Sequence, residues 1–168
     1  TGNGAIIVEN EVATIADNLG YDGPITIAAG AGALLLNPGG MGSNFGATTV
    51  QAGGYAALPE SIVTGEPFNL AGDGAGLGAL RVAADRQATL SGPITVAAES
   101  ARIQLGAGAQ MSVSTVIDAS AATAPLELAL GTGAQITLAN GLNAAEGIHL
   151  SGGGDVSIGG DVDLGGTN

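Results

Sequence analysis

Short apolar–polar–apolar triplets recur along the chain and are its most regular pattern. Successive side chains of a β-strand point to opposite faces, so each triplet places two aliphatic residues on one face. Glycine-rich runs such as 29–32 and 151–154 separate the triplets, which is typical of tight turns. The pattern predicts very short strands joined by turns. The triplets are Ile25–Ile27, Ile94–Val96, Ile103–Leu105, Ile136–Leu138, Ile148–Leu150, Val156–Ile158 and Val162–Leu164.

A longer repeat is also present. The segment 23–29 reads Gly-Pro-Ile-Thr-Ile-Ala-Ala and returns at 92–98 as Gly-Pro-Ile-Thr-Val-Ala-Ala. A second predicted strand follows each copy, at Leu34–Leu36 and at Ile103–Leu105. Internal repetition of such short strands predicts an all-β solenoid, most simply a right-handed parallel β-helix. At about 20 residues per coil, the chain would make about eight coils and rise roughly 40 Å.

Two segments depart from this pattern. Residues 51–70 contain two prolines and two of the four aromatic residues, Tyr55 and Phe68. We interpret them as a side loop packed on the coils; the alternative is a loop that contacts a sugar or a partner. Residues 10–20 have aliphatic residues at helical spacing between Asn10, a good N-cap, and Gly20, a good residue to follow a helix. A short helix and a further irregular coil both remain open there.

The composition favours a narrow, regular interior. The chain has 168 residues with 31 glycines, 2% aromatic residues and no cysteine, yet 45% of its residues are hydrophobic. Its core must therefore consist of small aliphatic side chains, because aromatic residues are too few to fill one. The net charge is −12, with three arginines and no lysine. This charge disfavours nucleic acid and anionic membranes as partners, and no apolar run is long enough for membrane insertion.

The ends of the sequence suggest continuation. Read tail to head, 166–168 and 1–8 give a turn followed by a strand, Gly-Thr-Asn-Thr-Gly-Asn-Gly-Ala-Ile-Ile-Val. We expect residues 1–168 to form a single β-helical repeat unit, one period of a longer array. The sequence shows neither a signal peptide nor an initiator methionine, so we expect a processed product or a segment of a larger chain. The lack of cysteine fits a secreted repeat protein.

Several segments resemble the autotransporter-associated β-strand repeat, whose hallmark is a strand–turn–strand, L-x-L-x-G-x-N-T-Y-T-G-x-T-x-V. Residues 164–168 are similar to the first half of this motif, and residues 1–8 and 46–53 are similar to the second half. The strands and turns over 74–82 and 88–96 resemble the family as well. The resemblance implies a glycine-rich parallel β-helix in a secreted bacterial protein that is extracellular or at the cell surface, in a fibre or in an adhesin of the autotransporter type.

Residues able to carry catalysis are sparse. His149, the only histidine, is the middle residue of its triplet and is expected to point away from the core. The three arginines are scattered in sequence, and polysaccharide-cleaving β-helices need acids clustered with bases on one face. We therefore predict no enzyme activity and assign no catalytic or cofactor-binding residue.

Two glycine-rich segments resemble known kinds of ligand-binding site. Residues 72–78 contain glycines at a spacing found in dinucleotide loops, but without a surrounding βαβ unit we interpret them as turns. Asp155, Asp161 and Asp163 are similar to acids of calcium-binding β-rolls, because carboxylates suit a hard cation. The β-roll spacing is not met, so the prediction is solvated turn acids and no metal, with calcium as the alternative.

These observations predict a structural protein. A single coil is too small to be stable alone, and an uncapped terminal coil leaves backbone groups unpaired. We predict a unit of an extracellular filament that extends by end-to-end contact with neighbouring copies of itself. The alternative is an adhesin passenger segment in which the rod presents loops such as 51–70 to a glycan or a surface.

Overall fold

The computed structural model describes residues 4–16, 21–36 and 46–165. These residues form nineteen β-strands and no helix, and all pairings between the strands are parallel. The chain winds through successive coils of a parallel β-helix, which confirms the predicted all-β solenoid. Within the described residues there is no helix long and apolar enough to cross a membrane.

Each complete coil contributes one strand to each of three sheets. Strand β11 (Ile94–Leu105) is longer than the others because it runs through the corner between sheet 1 and sheet 2. Sheet 1 contains β1 (Ile6–Val8), β3 (Ile25–Ile27), β5 (Thr48–Val50), β8 (Phe68–Gly72), the start of β11 (Ile94–Leu105), β13 (Ile117–Ala119), β16 (Leu142–Ala144) and β19 (Val162–Asp163). Sheet 2 contains β2 (Val12–Ile15), β4 (Gly32–Leu35), β6 (Tyr55–Leu58), β9 (Leu80–Val82), the end of β11, β14 (Leu126–Leu130) and β17 (Ile148–Gly152). Sheet 3 contains β7 (Ile62–Thr64), β10 (Gln87–Leu90), β12 (Gln110–Val113), β15 (Gln135–Leu138) and β18 (Asp155–Ile158).

The core is a set of aliphatic columns that run along the helix axis. In-register pairing places equivalent residues of successive coils on top of one another, as Ile103 and Leu128 show in sheet 2. Both side chains are fully buried. The polar residue between two such positions points outward. Alternation along each strand therefore gives the solenoid a dry interior and a polar surface. All seven predicted triplets lie in strands, except that the last strand, β19, ends at Asp163.

Prolines and glycines occupy the corner between sheets 3 and 1. Pro24, Pro67 and Pro93 directly precede strands of sheet 1, and their carbonyls accept hydrogen bonds from the first amide of the preceding coil's strand. Proline fits there because it contributes a carbonyl without needing to donate an amide. At the same corner a Cβ on Gly92 would lie 2.2 Å from the Glu66 carbonyl oxygen, so the coils approach too closely there for a side chain.

Coil length varies more than the sequence pattern indicates. In sheet 1, the coil that leads from Phe68 to its partner Ile94 is longer than the coil that leads from Ile6 to its partner Ile25. The predicted uniform coil length therefore does not hold along the chain. The long repeat, which relates Ile25 to Ile94, corresponds to three coils, through Thr48 and Phe68.

The offset of the long sequence repeat matches the strand pairing in sheet 1 but not in sheet 2. The offset between segments 23–29 and 92–98 would align Leu34 with Ile103, but the column that contains Ile103 passes through Ala33, Ala56 and Leu80. The second strand of the first copy therefore lies one residue earlier, relative to the repeat, than that of the second copy, and the strand predicted at Leu34–Leu36 is observed at Gly32–Leu35. The corner before β4 is a tight turn while β11 continues through its corner as a strand, which accounts for the extra residue.

The interpretation of residues 51–70 as a side loop was wrong. This segment contains β6, β7 and the start of β8, all paired within the solenoid. Phe68 is fully buried in the core rather than displayed on a loop. Its prolines, Pro59 and Pro67, lie between strands at corners, so they direct the chain around a coil without interrupting the β-helix.

The helical alternative for residues 10–20 was also wrong where the structure describes the chain. Residues 12–15 form strand β2, paired in register with β4. Residues 17–20 lie outside the described residues. So do 1–3, 37–45 and 166–168, and with them most of the predicted tail-to-head junction.

Candidate functional site on the outer face of sheet 2

The outer face of sheet 2 collects the chemically distinctive side chains of the described chain. Register places Arg102 beside Glu127, which in turn lies beside His149 of the next coil. A second outward row passes from Arg81 through Gln104 and Ala129 to Ser151. Two of the three arginines therefore share one face although they are scattered in sequence.

A depression of about 450 Å³ lies on this face and is called the trough here. Arg102, Gln104 and Ser151 contribute its polar side chains, and Ala129 lies between Gln104 and Ser151 in the same outward row. Glycines and Ala107 continue the lining at the corner towards sheet 3. The full lining is Arg102, Gln104, Leu105, Gly106, Ala107, Ala129, Leu130, Gly131, Ser151 and Gly152.

Charge in and around the trough is nearly balanced. The Arg102 Nη1 atom lies 3.6 Å from Glu127 Oε1, and both side chains are one-quarter exposed. The Ser151 hydroxyl donates a weak hydrogen bond to the same carboxylate oxygen, at 3.4 Å. Two buried atoms, Arg102 Nε and Gln104 Oε1, have no hydrogen-bond partner in the described part of the protein. Both atoms are closed to solvent, so they lie behind the accessible surface of the trough.

Arg81 has a mainly structural set of contacts beside the trough. Its guanidinium lies 3.6 Å from the centre of the Tyr55 ring, within the range of a cation–π contact. Its Nε and Nη2 donate to the carbonyls of Gly78 and Gly74 at 2.9 and 2.6 Å. Burial lowers the pKa of Arg81, and Tyr55 opposes that shift. Arg81 therefore fastens the glycine-rich turn 73–79 to sheet 2, and the interpretation of that segment as a turn is confirmed.

A second unusual group lies inside the solenoid. Glu66 is only 1% exposed, and its Oε1 accepts a 2.8 Å hydrogen bond from the buried Thr48 hydroxyl. Its backbone amide donates to the Thr64 hydroxyl, while Oε2 is buried and has no partner among the described residues. Removal from water raises the pKa of Glu66 to about 7, although the bonds from Thr48 act in the opposite direction. Burial therefore makes this carboxyl group a much weaker acid than an exposed glutamate.

The residues singled out from sequence lie apart from one another. His149 is exposed on the outer face, as predicted. Asp155 begins β18 in sheet 3, whereas Asp163 ends β19 in sheet 1 and accepts a bond from the Gly165 amide. The described residues contain no group of three or more histidine or acidic side chains placed to hold a metal ion.

Sequence reasoning missed the trough and the Glu66 cluster. Alternation in 102–105 does show that Arg102 and Gln104 share the outward face of one strand. Their association with Ser151 depends on the register between coils. No signal marks Glu66, which follows Thr64 and Gly65 in a segment that reads as a loop.

The two ends of the described solenoid expose residues that continue the core columns. Leu150 pairs with Leu128, yet Leu150 is 54% exposed while Leu128 is fully buried. Val162 likewise pairs with the buried Leu142 and is 47% exposed. At the other end Ile6 is half-buried, while its neighbour Ile25 is fully buried. Each end of the described chain therefore presents apolar side chains in the shape of the core.

Comparisons of this chain with protein-family models, with curated proteins and with solved structures found no match.

Proposed function

We propose that this chain is a structural unit of a bacterial extracellular filament, in which β-helical coils of neighbouring copies stack end to end. The observation that carries the proposal is the exposed continuation of the core at the C-terminal coil. Leu150 and Val162 occupy positions whose equivalents one coil earlier are buried. Covering such side chains removes apolar surface from water at about 25 cal/mol per Å².

The terminal strands add a directional component. β17, β18 and β19 each pair with a strand of the preceding coil, and no described strand lies on their other side. β1 and β2 have the same one-sided pairing at the opposite end. Unpaired edges favour addition of a further strand. A second copy of the chain, placed head to tail, would supply parallel strands to both kinds of edge at once.

Acidic side chains near the two ends affect how readily two copies can stack. Exposed acids occur near both ends, at Glu9 and Glu11 on one side and at Asp161 and Asp163 on the other. Like charges repel across the joint, and salt screens this repulsion over about 8–10 Å at physiological ionic strength. The proposal therefore expects assembly to increase with salt. The extracellular location and the kinship with autotransporter repeats remain predictions from the sequence resemblance.

The experiment compares two leucines of equal exposure. Leu150 lies at the end of the solenoid and is 54% exposed, whereas Leu77 lies in the side turn 73–79 and is 55% exposed. We expect the wild type to form concentration-dependent rods that electron microscopy and sedimentation detect. Leu150→Asp is expected to block this growth, while Leu77→Asp leaves it intact. A wild type that stays monomeric at high salt and concentration, or equal behaviour of the two variants, would refute the proposal.

The adhesin alternative has lost its original basis. It relied on a loop at 51–70, and these residues form strands of the solenoid. A surface-binding role now depends on the outer faces of the sheets. Point substitutions on a face are therefore the appropriate test of that role.

A further inference from the structure

The outer face of sheet 3 presents two nearly uncharged rows of polar side chains. Pairing in register lines them up along the solenoid axis, one row of glutamines and one of hydroxyl-bearing residues. Asp155, in the last coil, is the only charged residue among the outward side chains of the five described strands of this sheet. Three consecutive coils build the rows from Gln87, Gln110 and Gln135 and from Thr89, Ser112 and Thr137.

The other two faces carry charges in their outward rows. Sheet 1 has Asp118 and Asp163, and sheet 2 has Arg81, Arg102 and Glu127. Burying such groups between two molecules costs free energy unless each one is paired. A chain with a net charge of −12 also repels its own copies. Sheet 3 is therefore the face on which two copies can lie side by side at the lowest electrostatic cost.

The two rows of sheet 3 complement each other in length and in chemistry. A two-fold axis parallel to the solenoid axis sets the glutamine row of one copy against the hydroxyl row of the other, coil by coil. Long side chains then face short ones across a shallow groove of about 130 Å³ that both rows line. Each amide can donate to or accept from the hydroxyl opposite it. In the last coil the same arrangement sets the Asp155 carboxylate against the Ser157 hydroxyl.

We propose that filaments of this chain pair side by side through sheet 3. This pairing rests on the proposed end-to-end stacking, because the face of one unit is small. Five strands about 4.8 Å apart and four residues long cover roughly 300 Å², whereas a stable interface buries about 800 Å² per partner. Along a filament the contact recurs in every unit, so the contacts act together. Filaments therefore pair and single units do not.

The direct test is the mass per unit length of filaments of the full chain, measured by electron microscopy at high protein and salt concentration. Paired filaments have twice the value of single ones. The wild type is expected to be paired. Gln110→Glu is expected to halve the value, because it places an unpaired carboxylate inside each contact. Gln51→Glu makes the same change at an exposed position outside sheet 3 and is expected to leave the pairs intact.

Two further variants test the arrangement of the rows and its dependence on the filament. Ser112→Gln lengthens the short row without adding charge and is expected to reduce the fraction of paired filaments. Leu150→Asp, in which end-to-end growth is blocked, is expected to sediment as a monomer although its sheet 3 is unchanged. Thermal melting confirms that each variant is folded.

The outcomes separate lateral pairing from end-to-end stacking. Single wild-type filaments would refute pairing and leave stacking in place, whereas the absence of any filament would refute both. Paired filaments of Gln110→Glu, or loss of pairing in Gln51→Glu as well, would overturn the assignment to sheet 3. Unchanged pairing of Ser112→Gln would contradict the opposition of long and short rows. Dimers of Leu150→Asp would contradict the dependence of pairing on the filament.

Discussion

The middle of the solenoid and its C-terminal coil are built from the same side chains but differ in what those side chains contact. Leu128 in β14 has a coil on both sides and is fully buried, whereas Leu150 in β17 has a described coil on one side only and is 54% exposed. The two strands share an inward-facing pattern. Burial here is therefore a property of position in the stack, which is why a repeat structure gains stability as coils are added.

The largest expected effect tests this comparison directly. Leu128→Ala leaves a cavity between two coils and is expected to lower the free energy of unfolding by about 2–5 kcal/mol. Leu150→Ala is expected to cost less than about 1 kcal/mol, because most of its side chain is already in water. Urea denaturation of dilute protein measures both. Similar losses would mean that the terminal coil is covered in solution.

The middle coils differ in a second respect, because they contain the buried carboxyl group of Glu66. The folded-state pKa of Glu66 is about 7, above its ordinary 4.5, so folding opposes ionisation. The contribution of Glu66 to stability is therefore largest below pH 4.5, declines as pH rises from 4.5 to 7, and levels off above that range. Glu66→Gln is expected to remove this decline, with a gain of about 3 kcal/mol at most at pH 8.

The control for this prediction is an exposed acid of the terminal coil. Asp161→Asn removes a charge from a solvated position and is expected to leave the pH profile between 4.5 and 7 nearly unchanged. Unfolding measured across that range separates the two variants. A Glu66→Gln profile parallel to the wild type would contradict the assignment.

Glycines provide a third contrast between the two regions. Alanine at Gly92 would place its Cβ 2.2 Å from the Glu66 carbonyl oxygen and force the coils apart. At Gly153 in the terminal coil the nearest atom would be 3.6 Å away, an ordinary contact. We expect Gly92→Ala to cost about 1–3 kcal/mol and Gly153→Ala to be nearly neutral. Thermal melting distinguishes them, and equal melting temperatures would argue against close packing at the corner.

The smallest expected effect concerns the turn 73–79 on the side of the solenoid. Tyr55→Leu keeps an apolar side chain but removes the ring beneath Arg81, which is expected to cost about 0.5–1 kcal/mol. The loss should be local, so amide hydrogen exchange at Leu77 and Gly78 is the appropriate measurement. Exchange that remains at the wild-type rate would show that the Arg81 hydrogen bonds alone hold the turn.

Sequence patterns identified the strands well because the information in them is local. Every triplet coincides with a strand, apart from the final residue of the last one, since alternation reflects the opposite orientation of successive side chains. The error at residues 51–70 arose from reading Pro59 and Pro67 as interruptions. In a coil with short corners, proline fits between strands because no partner there requires its amide.

The candidate site was harder to predict from the sequence than the strands were. Arg102 and Ser151 are distant in sequence, and they meet only because β11, β14 and β17 are in register. That register depends on the length of each corner. The column through Ile25 and Ile94 keeps the spacing of the sequence repeat, whereas the column through Ala33 and Ile103 departs from that spacing by one residue. Composition does not reveal such a shift.

The sequence by itself determined short strands, parallel coils and a narrow aliphatic core, because steric alternation and turn chemistry act over a few neighbouring residues. Only the tertiary structure decided which residues of different coils stack, and hence where the trough and the Glu66 cluster lie. Contacts between coils join residues that are a whole coil apart in sequence, as Ile6 with Ile25 and Phe68 with Ile94. Their register is set by hydrogen bonding and packing along the whole column. Even the exposure of Leu150 follows from that stacking rather than from its own sequence.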